Sequence, residues 1–98
     1  MKTPVQMMLT AFMDDLKDAQ MLIDYAMEAC SSDYMDVYNY FKNKARSRVE
    51  QMKSDYDYIY AMAGMKDRLS NGDEIAIALD DYLSYSVTDL MGKVSKMR

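Results

Sequence analysis

The chain has 98 residues, half of them apolar and 29% charged, with a net charge of −4, no His, no Trp and a single Cys. That is room for one small domain. The missing His removes the commonest general acid/base and metal ligand, one thiol excludes an internal disulfide or a thiol-rich zinc site, and a net negative charge gives no general attraction to nucleic acid or anionic lipid.

One Pro and three Gly leave little material for turns, which points to few and long helices. The expected fold is all-α: a single helical domain over 1–98, built as a long antiparallel hairpin with a third amphipathic helix, bundle-like and completed by oligomerisation. Helix A is expected over about 4–30. Thr3-Pro4-Val5-Gln6 opens it as a capping box with Pro at the first helical position. Val5, Leu9, Phe12, Leu16, Ala19, Ile23, Ala26 and Cys30 then recur at alternating spacings of four and three, a coiled-coil type seam. Met8, Met13, Leu22 and Met27 widen that stripe, so helix A is expected to touch two neighbours.

Ser31-Ser32-Asp33 breaks the pattern, with Ser32 or Asp33 as the expected cap of helix B over about 33–68. So short a link forces an antiparallel hairpin. The seam of helix B reads Tyr34, Tyr38, Phe41, Ala45, Val49, Met52, Tyr56, Ile59 and Ala63, and Gly64 either caps it or lies inside a last stretch to Leu69. Ser70-Asn71-Gly72 is the plainest loop. Helix C, about 73–94, has Asp73 and Glu74 at its positive end and Lys93, Lys96 and Arg98, the last outside the residues described below, near its negative end. Its apolar face is Ile75, Leu79, Tyr82, Leu83, Val87, Leu90, Met91 and Val94, and Asp80, Asp81, Ser84 and Asp89 are expected in water. No run approaches the roughly 18 to 20 apolar residues of a membrane span. The lone Cys and the early Asp14-Asp15 suit a reducing, cytoplasmic setting, or the inside of a particle assembled there.

From Asp14-Asp15-Leu16-Lys17-Asp18-Ala19, through Tyr34-Met35-Asp36-Val37-Tyr38, to Ala45-Arg46-Ser47-Arg48-Val49-Glu50-Gln51-Met52, about half the chain resembles the small ferritin-like helical hairpin proteins of bacteriophages and bacteria. The resemblance implies a carboxylate near the middle of the first helix and Glu-x-x-His on the second, binding iron or manganese inside a four-helix bundle. Here Ala45-Arg46-Ser47-Arg48 stands where Glu-x-x-His would be, and neither Ala nor Arg holds a divalent cation. The metal site is therefore expected to be lost, with no cofactor in its place. A turn near residue 32 sets Arg48 across from Asp15 or Leu16. Arg48 then either pairs with Asp15 or Asp18 and sets the register, or snorkels its stem to water.

Asp14, Asp18, Asp24 and Glu28 offer an alternative, atypical carboxylate site for a cation, although such pairs are common on exposed helix faces. Cys30 completes the seam and is expected to be buried. Lys42, Lys44, Arg46, Arg48 and Lys53 stand against Glu50 alone. That stretch suits a nucleic-acid-docking regulator, but pairing with the acidic residues of helices A and C is favoured. Tyrosines 34, 38, 40, 56, 58 and 60 encircle helix B, so several must be exposed, and Tyr and Met are both interface residues. Tyr40, Tyr58 and Tyr60, with Met35 and Met62, are the expected contacts. The function these features point to is a non-catalytic assembly or interaction protein, of the structural or accessory kind that phages encode, with copies of itself or a larger protein assembly as partner.

Overall fold

The computed structural model describes residues 1–97. They form four helices, α1 (Pro4–Ser31), α2 (Met35–Met62), α3 (Met65–Ser70) and α4 (Glu74–Ser95), and no strand. At the start of α1 the capping box is present: the Gln6 N–H donates to Thr3 Oγ1 at 3.2 Å and the Thr3 N–H to Gln6 Oε1 at 2.9 Å. Two of the orphan donors of the first turn are thereby satisfied.

The hairpin turn does its work at the end of α1 rather than at the start of α2. The Tyr34 N–H reaches back to the Ala29 carbonyl at 2.9 Å and the Asp33 N–H to that of Cys30 at 3.1 Å. This is a Schellman-like closure, with Asp33 in the left-handed position at φ 62°. The expected cap is displaced accordingly. Tyr34 occupies the N-cap of α2 and its side chain makes no capping bond, because Ser32 and Asp33 are committed to ending the preceding helix.

The single helix expected over 33–68 is two helices. Gly64 adopts φ 61°, a conformation that continues no right-handed helix and that glycine takes without penalty. A Cβ placed on Gly64 would meet nothing within 4 Å, so the backbone angle alone asks for glycine. After α3 the Asp73 N–H closes on the Arg68 carbonyl at 3.0 Å. Asp73 then caps α4, accepting from the Ile75 and Ala76 N–H groups at 3.0 and 3.1 Å and from Arg68 Nε at 2.8 Å. The Arg68 bond and these amides hold the Asp73 carboxyl below the usual carboxylate range.

The core runs along the hairpin. Phe12, Ala19, Ile23, Ala26 and Ala29 of α1 meet Tyr38, Ala45, Val49, Met52 and Ile59 of α2, and α4 adds Leu83, Val87, Leu90 and Val94. Helix α1 touches both α2 and α4. Several expected core positions shift by a residue. Cys30 is exposed and Ala29 takes its place, because the seam ends one residue earlier. Tyr34 stands outside the first turn of α2 and is exposed. In α4, Ala76 is buried while Ile75 is 75% exposed, and Tyr82 and Met91 face outward. Of the expected wet residues, Asp80 is half-buried and accepts from Tyr56 Oη at 2.8 Å, and Asp89 is half-buried beside Lys93 at 3.2 Å.

The molecule extends 51 × 28 × 15 Å with a radius of gyration of 15.6 Å. A compact chain of this length would have a radius near about 13 Å. The turn at Asp33 yields a test. Replacing Asp33 by Gly relieves the left-handed strain, while the anion it removes lies between the negative end of α1 and the positive end of α2, where the two dipole effects oppose each other; the change is expected to raise stability by about 0.5 to 1 kcal/mol in urea unfolding. A loss of stability would show that the Asp33 side chain contributes more than its backbone costs.

Candidate functional site

Three features of the sequence carry candidate chemistry: the mid-hairpin ion pair, the basic stretch and the Tyr and Met surface. The first lies where α1 and α2 face each other. Arg48 Nη1 stands 3.5 Å from Asp15 Oδ1, with the Arg48 side chain 49% exposed and that of Asp15 only 15%. Of the two expected partners Arg48 takes Asp15, while Asp18 lines the shallow groove beside it.

A third member of this cluster escaped the sequence reading. Asp55 is only 5% exposed, inside the seam one turn from Met52 and Ile59. Its Oδ1 accepts from Gln51 Nε2 at 3.1 Å, whereas its Oδ2 is buried with no donor. The signal was the spacing, since Asp55 follows Met52 by three and precedes Ile59 by four. The expected seam residue there, Tyr56, turns instead toward α4 and its bond to Asp80. Burial and that bond push the Tyr56 hydroxyl up to about 12.

Burial, then a hydrogen bond with Asp55, then the negative charge of Asp55, push Asp15 up to about 6, against the opposing charge of Arg48. Two facing carboxylates are both acceptors and cannot satisfy each other. A proton on Asp15 supplies the donor and removes the repulsion. The raised folded value fixes the sign of the linkage. Between about pH 4 and 6 the folded chain holds a proton that the unfolded chain has released, so this pair stabilises in mild acid and its contribution falls as pH rises through about 6.

The residues present do not fit a divalent ion. Ala45 is fully buried in the core and the Arg48 guanidinium sits beside the one α1 carboxylate that could serve. Among the described residues no three His, Cys, Asp or Glu side chains gather around one point. Asp14, Asp18, Asp24 and Glu28 do not converge, and Asp24 accepts from Gln20 at 3.0 Å on its own helix.

The basic stretch is engaged mostly within α2. Lys42, Lys44 and Lys53 lie over the rings of Tyr38, Tyr40 and Tyr56 at 5.0 to 5.5 Å, Lys53 also pairs with Asp57 at 2.6 Å, and Arg46 Nη2 donates to the Met97 carbonyl at 3.2 Å. Arg48 finds an acidic partner on α1, as the charge pattern favoured, and Arg46 meets a backbone carbonyl just past the end of α4 instead of a carboxylate.

The expected contact residues divide between two faces. Tyr40 and Tyr58 are 56% and 59% exposed. They lie five full turns apart at ~3.6 residues per turn, and so project in one direction. Tyr60 and Met62 are half-buried, and Tyr60 sits 6.1 Å from the Tyr56 ring. Met35 is exposed but lines a groove of about 620 Å³ with Met27, Cys30 and Met97, on the α4 side. On the side of Tyr40 the groove between α1 and α2 holds about 610 Å³ and is lined by Asp18, Met21, Leu22, Lys44 and Arg48. Beyond it Tyr25 packs on Phe41 and Phe41 on Tyr40, each with ring centroids 5.2 Å apart. Met21, Tyr25 and Val37 are exposed here; Val37 neighbours Tyr40 along α2, and the pairing of α1 with α2 brings Met21 and Tyr25 to the same side. No family model, curated protein or solved structure matches the chain.

Replacing Asp15 by Asn supplies a neutral donor to Asp55 at every pH. The stability of Asp15→Asn relative to the parent is expected to improve by on the order of 1 to 2 kcal/mol between pH 5 and pH 7.5. Urea unfolding at the two pH values measures it, and a difference independent of pH would show that Asp15 is ionised throughout.

Proposed function

We propose that this chain is a non-catalytic helical assembly protein that works by binding other protein surfaces, copies of itself first. The observation that carries this reading is the exposed aromatic and thioether surface of the hairpin, Tyr40, Tyr58, Met21 and Tyr25 above all. Monomers commonly leave single apolar residues in water, but contiguous apolar patches mark interaction sites. The elongated form adds support, because a hairpin this thin offers broad faces that a second layer of helices would cover. The one carboxyl with a strongly raised pKa faces a second carboxyl inside a helix interface, which suits a structural pair better than a general acid in a cleft. A structural or accessory part of a larger cytoplasmic or virion assembly is the corresponding cellular role.

Native mass spectrometry of the untagged chain over about 1 to 100 µM tests this, a range in which an interface of ordinary size is populated. The expected result is a metal-free dimer or higher oligomer that grows with concentration. A monomer throughout that range would overturn self-association, and a stoichiometric metal ion would overturn the non-metal reading.

A further inference from the structure

We infer that two copies of this chain pair through the face of the α1–α2 hairpin opposite α4, about a two-fold axis running along the hairpin's length. This rests on the assembly reading and adds to it the face, the partner and the orientation.

The choice of face follows from what covers the rest. Helix α4 lies along one side of the hairpin, where Lys93 reaches Gln20 at 3.1 Å, Arg46 reaches Met97 at 3.2 Å and Tyr56 reaches Asp80 at 2.8 Å. The grooves on that side include α4 residues, whereas those holding Met21, Leu22 and Tyr40, and Tyr25, Val37 and Phe41, include none. Met7, Met21, Tyr25, Val37, Tyr40 and Tyr58 are all exposed. At ~100° per residue they fall on two adjoining stripes, one on each helix, that flank the open groove. Helix α4 has its own exposed apolar residues, Ile75, Ile77, Tyr82, Tyr85 and Met91. At the same ~100° they scatter over roughly half its circumference and make no stripe.

The charges select the partner and the axis. On the open groove α1 presents Asp18 and α2 presents Lys44 and Arg48, and at ~100° per residue Asp14 and Glu28 fall beside the Met21 stripe of α1; Arg46 and Lys53 line the α4 side, and Asp24 lies in the groove that holds Lys93 and Lys96. The open face is therefore acidic on its α1 half and basic on its α2 half. A two-fold axis along the hairpin lays the partner's α1 over α2 at the same height, so that Asp18 of the partner subunit meets Lys44 and Arg48. An axis across the hairpin would lay α1 on α1, acid on acid, and is disfavoured. Area is sufficient. Two 28-residue helices side by side, each about 42 Å long and about 10 Å across, present a face of roughly 800 Å², and a standard interface needs about 800 Å² per partner. The product is a four-helix layer of two hairpins with an α4 on each outer side.

The test mixes two variants of the full chain, Asp18→Lys and Lys44→Glu, whose altered side chains are on the open face. Each alone places like charges opposite each other twice and is expected to dimerise at least about tenfold more weakly than the parent. An equimolar mixture places opposite charges at both contacts. Native mass spectrometry should then show heterodimer well above the statistical share, at near-parental affinity. Homodimers of parental affinity, or a statistical mixture, would overturn the face and axis while leaving self-association intact. Preferential pairing of Asp18→Lys with the unmodified chain would indicate the crosswise axis and overturn this one. Dissociation by Tyr85→Ser but not Tyr58→Ser would move the interface to α4. A monomeric parent would instead remove the assembly reading itself. Circular dichroism of each variant confirms that helix content is retained.

Discussion

Everything in this molecule hangs on the close approach of α1 and α2. Ala19, Ala26 and Ala45 are fully buried between them, and side chains this small let two helix backbones run near each other along a shared seam. Larger residues fill the ends, Phe12 against the far half of α2 and Tyr38 near the turn. The turn itself is committed to ending α1, so the second helix begins without a side-chain cap. Its N-terminus is held by the packing of the seam, and the hairpin is a cooperative unit in which neither helix carries much stability alone.

Into that seam the chain places a polar cluster. An apolar replacement for Asp55 would avoid the orphaned oxygen, and buried charge is a costly way to hold two helices together. A polar cluster of this kind can fix register. Asp15 lies between Arg48 and Asp55 on the facing helix, so sliding either helix by a turn would break one of these two contacts. An all-apolar seam of Ala, Val and Met would tolerate such a slip more readily.

How much of this was legible depended on which interactions were local. The capping box, the length of α1, the loop at Ser70-Asn71-Gly72 and the amphipathic α4 are written in spacings and propensities, and the helices fall close to those positions. The antiparallel register set Arg48 across from Asp15 or Leu16, but whether it would take Asp15, take Asp18 or reach into water was not written in the spacing, and the structure places it at Asp15. The break at Gly64 was left open because one glycine near a helix end serves equally well as a cap or as an interior residue, and only the left-handed angle decides. Cys30 and Ile75 were misplaced because periodicity ranks positions by hydrophobicity while the structure ranks them by direction, and Ala29 and Ala76 point inward. Asp55 was hidden for the same reason, since a charged residue at a seam position is discounted by any reading that looks for apolar ones.

The reversal at Gly64 also orders events in time. The α1–α2 hairpin is encoded in the first two thirds of the chain and its contacts are between neighbouring segments, the class that forms soonest. Helix α4 is made after the hairpin and arrives on a seam already closed on one side. During synthesis the hairpin therefore has two uncovered faces where the folded structure has one, and this segment is at its most adhesive in the interval before α4 leaves the ribosome.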